Sequence, residues 1–313
     1  MRGALVTAQR AHAELERLGD EYGAVWALRL IGNFQGWLGR SGDAERTWKD
    51  ALELAEHVSP RLRDEIRGWL LWEAWWGPPK IPEGIARCDD YLDEARRSGY
   101  KRFEAIALEI RAALKAWQGS FDEARADMSA GRALSRELGD MIWWASSSML
   151  EADLEFGAGD PQAAYDVLAE GHEVLAAHAE TGFLATVVGM RSQAAFLLGR
   201  DAEALELADE VGRLSSKDDF EPRSRIALVR ALVIARRGDF DRADELLQEA
   251  ANLIEPTDYI FLHIGLNEAR GEISRLAGRP VAERAALERA LAVAEEKGHL
   301  VAAARAMERL AEL

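Results

Sequence analysis

A glycine recurs roughly every forty residues along this chain, with a small residue five positions after it, and that beat limits what the chain can fold into. The marks are Gly39 with Ala44, Gly77 with Gly84 two residues late, Gly119 with Ala124, Gly159 with Ala164, Gly199 with Ala204, Gly238 with Ala243, and Gly278 with Glu283, at spacings of 38 to 42 residues. Each mark closes one amphipathic helical pattern and opens another, so the repeating unit is an antiparallel helix pair. A pair of this kind buries its apolar face only by stacking on its neighbours. The expected fold is therefore all-α, a right-handed superhelical solenoid of about seven helix pairs with flanking single helices.

The predicted repeats lie at about 21–57, 61–98, 101–138, 141–178, 182–214, 222–254 and 258–297, followed by a closing helix at 299–312, all within one domain spanning 1–313. Gly19-Asp20, Ser59-Pro60, Ser98-Gly99, Gly139-Asp140 and Pro256-Thr257-Asp258 join the pairs, with residue types that end one helix and cap the next. Gly77-Pro78-Pro79-Lys80-Ile81-Pro82 differs, because its prolines exclude helix and predict a rigid extended insertion. Ala44 and Ala51, Ala124 and Gly131, Ala164 and Gly171, Ala243 and Ala250 each share a helical face, where small side chains let backbones approach. Glu283 departs from that pattern, and Ala290 is expected to take over the contact. Residues 3–18 read as a single amphipathic helix left from an earlier pair, so a preceding region is expected beyond this chain.

Thirty-nine basic against 55 acidic residues give a net charge of −16. That charge repels phosphate backbones, and no Lys/Arg cluster forms a local basic footprint, so no nucleic-acid partner is expected. No apolar run approaches the ~20 residues of a membrane span, and Met1-Arg2-Gly3-Ala4 leads into an amphipathic helix, so a cytoplasmic protein without a membrane partner is expected. Cys88 is the only cysteine; it reads as a small buried hydrophobe that can form neither an internal disulfide nor a thiolate cluster. His172 and His178 fall on different helix faces and lack zinc spacing. Gly157-Ala158-Gly159 lacks the third glycine and the strand of a dinucleotide loop. Neither a phosphate-binding Gly-x4-Gly-Lys-Ser/Thr loop nor a Gly-x-Ser-x-Gly elbow occurs. No catalytic residue, metal or cofactor is expected, and Asp89-Asp90 and Asp218-Asp219 read as solvated or capping groups.

The repeat resembles the tetratricopeptide (TPR) repeat in a long variant. Trp76-Gly77-Pro78-Pro79-Lys80-Ile81-Pro82-Glu83-Gly84-Ile85-Ala86-Arg87-Cys88 further resembles the C-terminal repeat region of bacterial signalling proteins that carry a class III adenylate/guanylate cyclase domain and an AAA ATPase. Gly119-Ser120-Phe121-Asp122-Glu123-Ala124-Arg125 and the closing Ala290–Gly298 and Val301–Arg305 stretches carry the same resemblance. It implies a regulatory or partner-binding role beside an upstream ATPase or cyclase. Similar repeats also follow ATPase modules in helix-turn-helix activators.

All ten tryptophans lie between Trp26 and Trp144, and Trp37, Trp75 and Trp117 each stand two residues before a turn glycine. Equivalent positions in stacked repeats align in space. The TPR resemblance implies that the first helix of each pair lines a concave groove. Counting back from the glycines, its stripe reads Trp26, Arg29, Asn33, Trp37; then Asp64, Arg67, Leu71, Trp75; then Ile106, Glu109, Ala113, Trp117. Rigid indoles with forked arginine donors suit a protein or peptide partner, and the expected groove residues are Trp26, Arg29, Asn33, Trp37, Arg67, Trp75, Glu109 and Trp117. The same pocket could close on a small aromatic or anionic effector. The competing reading makes these rings inter-helix core, like Trp69 and Trp72, with the arginines solvated or paired to Glu109 and Asp64.

Overall fold

The structure is a computed structural model describing residues 1–313, all helix and turn. A single helix α1 (Arg2–Leu18) leads into α2 (Glu21–Trp37) with α3 (Ser41–Val58), α4 (Pro60–Trp76) with α5 (Ile81–Ser98), and α6 (Lys101–Trp117) with α7 (Phe121–Glu137). The interrupted helix α8 (Met141–Ser146) and α9 (Ser148–Ala158) then pairs with α10 (Pro161–Ala177). The last pairs are α11 (Leu184–Leu197) with α12 (Asp201–Leu214), α13 (Phe220–Arg236) with α14 (Phe240–Ile254), and α15 (Ile260–Leu276) with α16 (Pro280–Lys297), before α17 (Leu300–Ala311).

The glycine marks stand at or one residue beyond the helix C-caps. Six of the seven have φ between +65° and +85°, a left-handed conformation that costs glycine little and lets the next amides bond back to the last turn. At the first mark, Gly39 N–H donates to Gly36 O at 2.8 Å and Arg40 N–H to Gln35 O at 2.9 Å. Gly77 is the exception, with φ −90° and ψ −167°. It is extended and sends the chain into the two prolines instead of straight into the next helix.

The pairs form two layers. The inner helices α4, α6, α11 and α13 each bury ten or more residues, whereas α3, α5, α7, α10, α12 and α14 bury four or five. The inner helices touch neighbours on both sides and the outer ones rest on one stripe. Ala44, Ala51, Ala124, Ala164, Ala243 and Ala250 are all fully buried on that stripe. A Cβ at Gly171 would fall 2.8 Å from the Ala145 carbonyl, so α10 crosses the α8–α9 break at backbone contact. The break has a local cause. Ser146 Oγ donates to Ile142 O at 2.8 Å, Ser147 Oγ to Trp144 O at 3.0 Å, and the buried Arg132 guanidinium also reaches Trp144 O at 3.0 Å, all competing with the helix ladder. Glu283, the non-small residue at the last mark, is buried against Arg309 at 2.6 Å, with Ala290 buried behind it.

A stacked array ordinarily makes contacts only between neighbouring repeats. Here the two ends of the array meet. Asp258 accepts the Ser41 and Gly42 amides at 2.6 and 2.7 Å, and its own amide donates to Gly39 O at 3.1 Å. Tyr259 OH donates to Gly36 O at 3.0 Å. Lys297 Nζ donates to the carbonyls of Ala74, Gly77 and Pro79 at 2.9, 2.5 and 2.7 Å. Gln118 Nε2 reaches Gly298 O, and α17 lies against α6. The last repeat thus stacks on the turn ends of the first three pairs along this seam.

Candidate binding face on the inner helices

The inner face changes character along the helices. Near the N-terminal ends of α4 and α6 it opens into a pocket of about 500 Å³. Its walls are Trp69, Trp72, Phe103, Ile106, Trp143 and Phe183, and its rim carries Arg29, Arg61, Asp64, Glu65, Arg102 and Asp140. Trp72 stacks on Phe183 with centroids 6.3 Å apart and meets Trp143 edge-on at 5.6 Å, so the floor is a rigid aromatic surface. Arg29 pairs with Glu65 at 3.1 Å and lies 4.5 Å over the Trp26 ring, and Arg102 pairs with Asp140 at 2.7 Å. Tyr100 and Ile142 stand exposed at the mouth, 47% and 43% accessible.

Towards the C-terminal ends the same face is covered. Phe261 stacks on Trp75 at 5.7 Å, Tyr259 on Trp76 at 5.5 Å, and His299 on Trp117 at 4.6 Å. Trp75 and Trp117 both donate their indole N–H to Asp153 Oδ2, at 3.1 and 2.6 Å. Burial raises the Asp153 carboxyl, and these two bonds draw it back down. His299 is pulled down to about 3 by burial, with Arg305 and Lys297 adding repulsion, so it packs as a neutral ring.

The expected groove residues therefore divide. Of the eight, only Arg29 lines the pocket. Trp37, 38% exposed, borders Trp69 edge-on at 6.3 Å, and Trp26 lies under Arg29. Asn33, Trp75, Glu109 and Trp117 are buried, which for the two indoles is the competing core placement. Arg67 faces the outer layer, pairing with Glu94 at 2.6 Å and Glu56 at 3.2 Å and lying over Tyr91. Glu109 pairs with neither Arg29 nor Arg67; it accepts Trp143 Nε1 at 2.6 Å and Ser135 Oγ at 3.2 Å. Burial pushes it up to about 8, opposed by Trp143 and Arg132.

Counting from glycine misplaced α4 for a physical reason. Gly39 and Gly119 stand one residue beyond the C-cap, whereas the extended Gly77 is itself the C-cap of α4. One residue is about 100° around a helix. In α4 the pocket-facing residues are thus Arg61, Asp64, Glu65, Gly68 and Trp72, with Arg67 and Leu71 turned away. Trp69, Trp72 and Trp143 are the pocket residues that this counting missed.

No group of three or more His, Cys, Asp or Glu side chains is arranged to hold a metal ion. Cys88 is buried, and desolvation pushes its thiol far above the usual range. No helix is long and apolar enough to cross a membrane.

No protein-family model matches the chain, and no curated protein matches it. Among solved structures it is similar to a tetratricopeptide repeat protein from Parabacteroides merdae, with a TM-score of 0.51 and 15% identity over 85% of this chain and 99% of that one. BtubC (BKLC) from P. vanneervenii aligns with a TM-score of 0.47 and 15% identity over 68% of this chain and 90% of that one. The P58(IPK) TPR domain aligns with a TM-score of 0.30 and 14% identity, covering 97% and 89%. The fold is a TPR-like helical repeat.

Proposed function

We propose that residues 1–313 form a single TPR-like domain acting as a non-enzymatic interaction scaffold, which takes a peptide or partner helix on the open part of its inner face. The observation that carries this reading is the pocket itself, with its aromatic floor and charged rim. Stacked indoles give wide contact at small entropic cost, and Arg61, Arg102 and Asp140 at the rim can fix polar groups, the combination favoured at interaction hot spots. Trp26, Arg29 and Trp37 border that surface. The resemblance to cyclase and AAA ATPase signalling proteins extends the proposal to a regulatory module in a bacterial cytoplasmic protein, with an upstream ATPase or cyclase as the body it controls.

A small-molecule effector is the second reading. It draws support from the pocket volume of about 500 Å³, which falls among the roughly 300–1,000 Å³ of ligand sites. Peptide and small-molecule libraries titrated against parent and Trp143→Phe/Arg102→Glu protein, followed by tryptophan emission, test both. Peptide binding lost in the variant supports the scaffold, and saturation by compact ligands alone supports the effector reading. A ligand bound equally by both proteins would put the interface elsewhere.

A further inference from the structure

The seam is held by groups that complete helix ends. Helix α3 has Arg40 at its N-cap and no side chain of its own capping it; Asp258, more than two hundred residues away in sequence, accepts its first two amides instead. Helix α4 has no basic residue in its last turn; the buried Lys297 brings an ammonium to its terminal carbonyls and to the prolyl loop behind them. Both pins place charge where the helix dipole favours it. Neither belongs to a nearest-neighbour interface of the array; the core of 51 buried apolar residues from Leu71 to Ala269 also runs through the seam, at Trp75, Trp76, Trp117 and Tyr259. Breaking the pins therefore leaves the packing between successive pairs in place.

The closed form also carries a penalty beside the pins. Glu73 lies buried there against Ser41 Oγ and Trp76 Nε1, and burial pushes its carboxyl up to about 8 against those two donors. Burying a carboxyl favours any state that hydrates it. The contacts of the pins thus stand against the cost of burying Glu73 and Lys297.

We propose that the seam is a releasable latch: Asp258 and Lys297 pin the last repeat across the C-terminal ends of the inner helices, and release lifts that repeat and uncovers Trp75, Trp76 and Trp117 while the repeats stay folded. Opening lengthens the exposed inner face from the pocket at one end of α4 to the aromatic cluster at its other end. That the cover regulates partner binding rests on the scaffold reading; that it opens does not.

The test changes one pin and reads the other. In Lys297→Met, with Asp258 intact, the Ser41 and Gly42 amides should exchange hydrogen roughly tenfold faster or more, the effect of losing one helix-end interaction. Tryptophan emission should shift to the red and the radius of gyration by X-ray scattering should rise, with helical circular dichroism unchanged. If Lys297→Met fails to fold, Asp258→Asn, which keeps an acceptor and removes the charge, should give the same red shift and rise in radius to a smaller extent. A helical variant with an unchanged far pin and unchanged radius would overturn the latch. Opening only together with loss of helix would overturn it as well. Affinity for a pocket-binding peptide from the library screen should rise in the opened variant. Unchanged affinity with a demonstrably open seam would leave the scaffold reading standing and overturn regulation by the cover.

Discussion

Helix α4 presents one inner face with two fates. From its first turn to Trp72, Arg61, Glu65, Gly68 and Trp72 border an open pocket; one turn further, Trp75 and Trp76 are sealed under Phe261 and Tyr259. Trp72 on the open side and Trp75 and Trp76 on the covered side belong to the same helix. What separates them is whether the last repeat comes round to that height. In this solenoid, the exposure of an inner stripe is a property of how distant repeats stack on it, and no single repeat determines it.

The difference is sharpest in stability. Trp117→Ala, which empties a covered site between Trp75 and His299, should cost about 3–5 kcal/mol in urea unfolding. Trp37→Ala, at a half-exposed ring, should cost under about 1 kcal/mol. Equal losses would break the distinction between the two ends. Asp153 tests the covered end from its polar side. Asp153→Ala deprives two indole N–H groups of their acceptor and should cost about 1–3 kcal/mol, with Asp153→Asn well below that because its amide oxygen still accepts.

Glu109 tests the open end, where it supports Trp143 from below. Its proton is held more tightly in the folded than in the unfolded protein, so its contribution to stability is complete below pH 4.5 and is lost as pH rises through about 8. Glu73 has the same sign, being pushed up to about 8. Lys297, drawn down to about 7, has the opposite sign: its penalty is relieved as pH rises from there towards 10.5. Comparing parent with Glu109→Gln isolates one group, and the variant should gain on the parent between pH 5 and pH 9 in urea unfolding. A constant difference across that range would show Glu109 ionised throughout. The smallest effect is expected at the rim, where Arg102→Ala should change stability by no more than about 0.5 kcal/mol, since its pair with Asp140 is largely exposed. A larger loss would make that rim structural.

The helix pairs were legible in the sequence because each carries its own punctuation. Gly39, Gly119 and their counterparts need only local backbone geometry to end a helix, so they mark boundaries wherever they occur. Little of the pocket was legible, one of the eight expected groove residues lining it. Arg29 was found from its spacing, but Gly77 occupies a different cap position, and that one-residue change of phase hid Trp72 behind Arg67 and Leu71. The seam was not legible at all, because its pins have ordinary local meanings. Asp258 precedes α15 like any helix-start residue, yet it caps α3; Lys297 ends α16 like any last-turn cation, yet it serves α4. Local pattern records which groups can cap a helix and leaves open which helix end reaches them in space.

An open array can gain or lose a repeat and remain much the same object. This one cannot, because the carbonyls that receive Lys297 stand at a fixed place along the superhelical turn. Adding a helix pair would carry the lysine past them by two helix spacings of about 8–10 Å each, and removing a pair would leave it as far short. Closure thus counts the repeats. It turns a modular architecture into one of fixed membership, in which lengthening the chain between α6 and α15 by a whole unit should disturb the far ends more than the site of insertion.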